Sequence, residues 1–323
     1  MSNSNQLEMM ERIALDLEGV ERALASSFNT GSEDFNTLIR PLSEAGGKRL
    51  RAQLCLLIAN AGTSVEAERI KIAEAVEMLH LATLIHDDVL DQAEIRRGEE
   101  TIHKHKGNKV AILSGDYLFA KAFRIVSEMP HMEYLKIFSH IITCLVEGEF
   151  MQMEDVYRID QGIDRYMTKT QKKTADFMEG CMELGGLLGG WSGDEIMYLK
   201  RYGHALGMAF QITDDIMDYR ETSDTTGKPV GNDLREGLLT YPLLSIVNES
   251  NQNQLLQDIK NLNHGGNEQE IIDYVIAQGG IDNTLRVAQQ YCDDALSALQ
   301  SIRDFDGKEF LVLAVQNLAD RKV

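Results

Sequence analysis

Two stretches of this chain carry three aspartates in the same pattern, Asp87-Asp88-Val89-Leu90-Asp91 and Asp214-Asp215-Ile216-Met217-Asp218. Each closes a largely apolar run, Leu79 to Ile85 in the first case and Met208 to Thr213 in the second. In a helix, a spacing of four sets Asp87 with Asp91, and Asp214 with Asp218, on one face. Carboxylates gathered at the end of a buried helix repel one another and lose hydration, so they need compensating cations. Hard divalent ions meet that need, and Mg²⁺ in particular keeps waters and shares its remaining positions with substrate phosphates. A single such triplet is as often a solvated helix end. A second changes the balance, because at about 6% of each acidic residue a chain of this length should show the triplet only ~0.07 times by chance.

Metal-bridged phosphates also need direct positive charge, and three basic segments could supply it. The first is Gly46-Gly47-Lys48-Arg49-Leu50-Arg51, whose glycines let a backbone approach closely and whose Lys48 and Arg51 are expected to share a face of the helix that follows. The second is Arg96-Arg97-Gly98, shortly after Asp91, and the third is Gly227-Lys228 ahead of Gly231-Asn232-Asp233-Leu234. Each alone reads as a solvated loop. Their joint appearance beside both aspartate triplets points to phosphate binding.

Helices are the elements that must position these groups. The chain has 323 residues with only 4 prolines and 14 methionines, against a usual proline share of about 5%. Stretches with helical period include Ile72, Val76, Leu79 and Thr83, then Leu135, Phe138, Ile142 and Val146, then Leu206, Phe210 and Ile216. Period-two alternation is nearly absent. Breaks are expected at 44–48, 98–107, 129–130, 191–193, 221–236 and 263–267, leaving helices of roughly 15 to 25 residues around a deep interior channel. Length alone would suit two domains, but no linker-like tract occurs, so 1–323 is expected to form one all-α domain.

With 32 Lys+Arg against 51 Asp+Glu the net charge is −19, which disfavours nucleic acid and anionic membrane surfaces as partners. The N-terminal Met1–Glu21 segment lacks the basic–apolar–small order of a signal peptide, and no long apolar run suggests a membrane span. A cytoplasmic location is the expectation. Cys55, Cys144, Cys181 and Cys292 lie far apart, form no C-x-x-C pair, and read as reduced core residues.

At these residues the chain resembles the trans-isoprenyl diphosphate synthases, over an ordered match from Gly46 to Leu244. The resemblance implies an all-α, isoprenoid-synthase-type bundle with a deep central cavity. It implies an isopentenyl diphosphate site at Lys48, Arg51, His80 and Arg97, and an allylic diphosphate site at Arg96, Lys173, Thr174, Gln211 and Lys228. Metal ligands would be Asp87, Asp88, Asp91, Asp214, Asp215 and Asp218, with three Mg²⁺ ions when diphosphate is bound. Asp87, Asp91, Lys173, Thr174, Gln211 and Asp214 would carry the catalysis, and the released diphosphate would take the proton. Gly148-Glu149-Phe150-Met151-Gln152 also fits the family pattern, while Ala52 stands where many members have proline and Met217 sits inside the second aspartate motif.

Product length should be set by Leu79, Ala82 and Thr83, one and two turns before Asp87. Short-chain members similar to this one carry bulky aromatics at the last two of these positions, so a long product is expected: heptaprenyl first, with geranylgeranyl, octaprenyl and nonaprenyl as alternatives. The Leu81–Asp88 run and Tyr157-Arg158-Ile159-Asp160-Gln161 look most like the larger component of bacterial heptaprenyl diphosphate synthases, which supply menaquinone side chains. That resemblance implies farnesyl diphosphate as primer and either a homodimer or a heterodimer with a small regulatory subunit. Three other readings fit less of the sequence. A metal-dependent phosphohydrolase built on His86-Asp87 ignores the second triplet, a terpene cyclase needs no isopentenyl site, and a non-catalytic partner subunit should have lost one triplet.

Overall fold

The computed structural model describes residues 3–28, 32–44, 47–96, 98–220 and 231–319. They form an all-α protein, as expected. The first helices are α1 (Asn3–Ser27), α2 (Glu33–Glu44), α3 (Leu50–Asn60), α4 (Glu66–Leu90), α5 (Ile102–Lys106) and α6 (Asn108–Ser127). Then come α7 (Met132–Glu154), α8 (Ile163–Thr170), α9 (Asp176–Leu188) and α10 (Gly193–Arg220), with a π-helical turn at Gln171–Ala175 between α8 and α9. Further helices span Asn232–Glu236, Tyr241–Leu244, Gln252–Asn261, Glu268–Ala277, Gly280–Gln300 and Lys308–Ala319. The described residues group into two compact units.

The first unit takes in residues 1–139, 181–197 and 304–307. Its α4 packs on α1, α3 and α6. A buried polar knot joins three of these helices: Arg69 Nε donates to Asp16 Oδ2 at 2.9 Å, and Asn60 Nδ2 donates to the same oxygen at 2.7 Å. A carboxylate this deep needs such donors, because an uncompensated buried charge costs several kcal/mol, roughly 3–5 when one partner is removed. Glu66 and Glu68 in the first turn of α4 oppose the positive end of its dipole.

The second unit takes in residues 140–180, 198–303 and 308–323. Its core gathers Ile212, Ile216 and Tyr219 of α10 with Leu234, Leu243, Ile259, Ile272, Val275 and Ile281. Tyr202 is fully buried and satisfies its hydroxyl on the Leu311 carbonyl at 2.9 Å, as a buried phenol requires.

The structure departs from the sequence reading in several places. A two-stranded antiparallel hairpin, β1 (Ile95–Arg96) on β2 (Glu99–Glu100), follows the first aspartate motif. Alternation over two-residue strands is too short to detect, but Gly98 at φ 86 marks the turn. Thr101 Oγ1, donating to the Ala93 carbonyl at 2.7 Å, ties the hairpin base to the end of α4. Lys48 is not on the helix after the glycines: α3 begins only at Leu50, behind Arg49 in the left-handed region at φ 44. The buried line of α7 runs through Tyr134, Ile137, Phe138, Ile141 and Cys144, while Val146 is exposed. Of the expected break at 221–236, residues 221–230 lie outside those described, and the remainder forms the Asn232–Glu236 helix.

Candidate active site

In the first unit the basic segment is organised from below by one buried carboxylate. Glu77 of α4 is 1% exposed. Its Oε1 accepts the Ala52 N–H at 3.2 Å and its Oε2 the Arg49 guanidinium at 3.3 Å. It therefore caps the start of α3, which has no capping side chain of its own. Arg49 Nε also donates to Glu21 Oε1 at 2.8 Å, so Arg49 is a structural cation. Its guanidinium pKa is raised, burial acting against the stronger combined pull of Glu21 and Glu77. Arg51 is different: burial lowers its pKa, with Cys181 and Glu77 counteracting. Its Nη1 lies 3.4 Å from His80 Nε2. The structure thus brings together Arg51 and His80, two residues far apart in sequence, and sets the exposed Lys48 just before α3. Arg97, the fourth of that set, lies outside the described residues, as does Gly46.

The first aspartate motif closes α4. Asp87 is half-buried, Asp88 buried and Asp91 exposed at the helix end, where its N–H donates to the Asp87 carbonyl at 2.8 Å. Asp88 Oδ1 accepts Arg96 Nε of the hairpin at 2.6 Å. The guanidinium expected to hold a diphosphate is thus placed on the middle aspartate, and the hairpin exists to bring it back. On the preceding turns Leu79 and Ala82 are fully buried, and Thr83 is partly exposed with its hydroxyl on the His80 carbonyl at 2.8 Å.

In the second unit the chemistry gathers around the π turn. Lys172 and Lys173, adjacent in that turn, reach Glu147 and Glu149 of α7, each at 2.5 Å. Gly148 between those glutamates permits the approach, because a Cβ there would sit 2.7 Å from Lys173 Cγ. Thr174 Oγ1 donates to Gln211 Oε1 at 2.9 Å, and Gln211 Nε2 donates to Asp215 Oδ1 at 3.0 Å. Tyr166 of α8 donates its hydroxyl to Asp215 Oδ2 at 2.5 Å. Burial pushes the Asp215 carboxyl up to about 6, with Asp214 adding to the rise and Tyr166, Gln211 and Lys169 opposing it.

The rest of the second motif divides likewise. Asp214 is exposed. Asp218 accepts the Asn232 N–H at 3.0 Å and the Asp233 N–H at 3.2 Å, which makes it the cap of the Asn232–Glu236 helix. Of the six carboxylates, Asp88 is met by Arg96, Asp215 by Tyr166 and Gln211, and Asp218 by backbone N–H groups. Asp87, Asp91 and Asp214 present oxygens of the hard type Mg²⁺ takes. Lys228 lies outside the described residues.

Sequence reasoning missed Tyr166, Glu77, Glu149 as a lysine partner, and Lys169. Lys169 is buried, which lowers its pKa, while Asp155 and Asp215 act to keep it charged. The Lys169, Lys172, Lys173 spacing was a visible signal for a cationic turn. Nothing local announces Tyr166.

A helical protein with two acidic motifs, one accompanied by an arginine–histidine pair and the other by a lysine-bearing π turn, is a diphosphate-handling enzyme in its chemistry. Comparison with known proteins gives the family. The polyprenyl synthetase family profile matches residues 32–278. The chain is 32% identical to octaprenyl diphosphate synthase of Escherichia coli, covering 95% of this chain and 96% of that one. It is 32% identical to heptaprenyl diphosphate synthase component 2 of Geobacillus stearothermophilus, over 89% and 90%. A polyprenyl synthase from Caulobacter crescentus, complexed with calcium and isoprenyl diphosphate, superposes with a TM-score of 0.88 at 30% identity, covering 100% of this chain and 98% of that one. The chain belongs to the polyprenyl synthetase family and is a prenyltransferase, a trans-polyprenyl diphosphate synthase. Among the described residues no helix is long and apolar enough to cross a membrane.

Proposed function

We propose that this chain extends farnesyl diphosphate with successive isopentenyl diphosphates to a long all-trans product of the heptaprenyl class, destined for a menaquinone side chain. The observation that carries the length is the pair Ala82 and Thr83 on the turn before Asp87, where no bulky ring closes the path of the growing chain. An octaprenyl product is the second reading, favoured by the fuller two-way coverage of the octaprenyl relative. The family match takes in both compact units, which supports a single catalytic domain. The relative named as a component 2 supports a small partner subunit as one form of the assembly and a homodimer as the other. The cytoplasm is the proposed location.

In this reading Asp87, Asp91 and Asp214 would hold Mg²⁺, as three ions once diphosphate is bound. Bound there, Mg²⁺ would supply positive charge to offset that of the leaving diphosphate. Lys173, Lys228 and Arg96 add direct positive charge there, Lys173 being held in place by Glu149 and Arg96 by Asp88. Thr174 and Gln211 offer oxygen dipoles near the allylic cation, and Asp215 fixes the Gln211 amide so that its oxygen accepts the Thr174 hydroxyl. Arg51, His80, Lys48 and Arg97 orient isopentenyl diphosphate so that its double bond meets the cationic carbon, an effect on the order of several kcal/mol.

The purified chain incubated with farnesyl diphosphate, labelled isopentenyl diphosphate and Mg²⁺ should give a ladder ending at seven isoprene units and abolished by EDTA. A ladder ending at eight selects the second reading, and no elongation by the single chain points to the partner subunit. Thr83→Phe should shorten the product with little loss of stability, since Thr83 is partly exposed. Ala82→Phe should shorten it too, at roughly 1–3 kcal/mol from overpacking a fully buried site. Unchanged product length in both variants would remove the argument from the α4 turn.

A further inference from the structure

Five side chains with metal-binding chemistry, none of them in the aspartate motifs, meet on three helices of the second unit. His140 and Cys144 stand one turn apart on α7, Asp176 and Glu179 begin α9, and His204 lies on α10. The donor atoms of His140, Cys144 and Asp176 lie within 4.8 Å of one another, and so do those of Asp176, Glu179 and His204.

Within the first trio the Cys144 sulfur is 3.7 Å from His140 Nε2 and 3.8 Å from Nδ1. Two ligands of one tetrahedral zinc ion, at about 2.3 Å for sulfur and about 2.0 Å for nitrogen, stand roughly 3.6 Å apart. The thiol also hydrogen-bonds to the Asp176 carboxylate. Cys144 and Asp176 are buried, whereas His140 is exposed and offers the way in.

Nearby cations separate the two trios. Lys200 sits 3.5 Å from Glu179 and would oppose a second cation there. Lys172, whose charge acts on Cys144, is itself paired with Glu147 at 2.5 Å. The first trio is therefore the better cation site, and its sulfur selects against the hard Mg²⁺ that the motif aspartates suit.

We propose that His140, Cys144 and Asp176 form a binding site for a thiophilic divalent ion of the Zn²⁺ type, distinct in its ligands from the aspartate motifs and entered past His140. On binding, the Cys144 thiol releases its proton and the thiolate becomes a ligand. The fourth position is left to water or to the neighbouring pair, Glu179 and His204. Asp176 directly follows the π turn and accepts Gln171 Nε2 at 3.2 Å, so the ion would sit at the foot of the turn that carries Lys173 and Thr174.

The test uses the full chain with saturating Mg²⁺ and titrates Co²⁺ as a spectroscopic stand-in for Zn²⁺. A thiolate-to-cobalt charge-transfer band in the near ultraviolet should appear and be displaced by Zn²⁺. The band should vanish in Cys144→Ser and persist in Cys292→Ser. Cobalt affinity should fall at least about tenfold in His140→Ala, a change at an exposed position that leaves folding intact even if Cys144→Ser does not. No thiolate band in the parent chain, or a band unchanged in both the Cys144 and His140 variants, overturns the proposal.

Discussion

The two aspartate motifs have the same spacing and are stabilised in different ways. In the first, the middle aspartate is compensated by Arg96, eight residues away on a hairpin built close to the motif. In the second, the middle aspartate is compensated from a distance, by Tyr166 across 49 residues of sequence and by Gln211 on its own helix. The last aspartates diverge further: Asp91 is exposed at a helix end, and Asp218 caps another helix. One repeated sequence device thus yields two differently held middle carboxylates, one met by a neighbouring hairpin and one by a distant helix. The difference arises because a buried carboxylate must find a donor, whereas an exposed one is solvated at little cost.

The largest expected effects fall on Asp87, which is half-buried, and Asp214, which is exposed. Asp87→Asn and Asp214→Asn should each lower kcat by roughly 10²–10³-fold, the range for removing one electrostatic contributor, while thermal unfolding stays near that of the parent. Steady-state kinetics beside calorimetry would show it; if Asp215→Asn gave the same loss with the same melting temperature, the division within the motifs would fail. Next come the compensating groups. Arg96→Ala and Tyr166→Phe should each destabilise by about 1–3 kcal/mol, by leaving a buried carboxylate short of a donor. Denaturant titration would check this, and Arg96→Ala should also lower activity in this reading. Asp218→Ala should cost about 0.5–2 kcal/mol as a lost cap, read as a fall in the urea midpoint.

The smallest effect concerns pH and extends the same rule to thiols. Burial pushes Cys55 up to about 12 and Cys292 up to about 11, and burial with Asp176 pushes Cys144 up to about 12. A raised folded-state pKa means that the folded chain keeps protons the unfolded chain has lost. Stability from these groups is therefore complete below the unfolded thiol value of 9.0 and declines as pH rises toward about 11 to 12. Urea midpoints should fall between pH 8 and pH 10.5. In metal-free protein at pH 8 a thiol reagent should label no cysteine until the chain unfolds; rapid labelling of Cys55 in the folded state would contradict its burial.

Much of the candidate site was legible because helices convert spacing into geometry. Spacing alone put Asp87 with Asp91 on one face, and the apolar runs ahead of each motif marked the helices that end there. The reading failed where partner choice is not local. It named Arg96 for a diphosphate and did not see that Asp88, buried at 5%, accepts its Nε. It placed Lys48 on a helix because it could not see that Arg49 turns left-handed to reach Glu21 and Glu77. It took the α7 stripe through Val146, although the buried line passes through Cys144.

The sequence by itself determined the helical class, the two acidic triplets, the order of the basic segments and, through them, the family. Those features rest on residue type and short-range spacing, which the chain carries before it folds. Tertiary structure alone decided which aspartates the protein compensates, that Glu77 caps α3, that Gly148 lets Lys173 reach Glu149, and that His140, Cys144 and Asp176 meet. Glu77 reaches Ala52 across 25 positions and Tyr166 reaches Asp215 across 49, each on a different helix, and only packing, by excluding water and forcing each buried polar group to find a partner, selects such pairs.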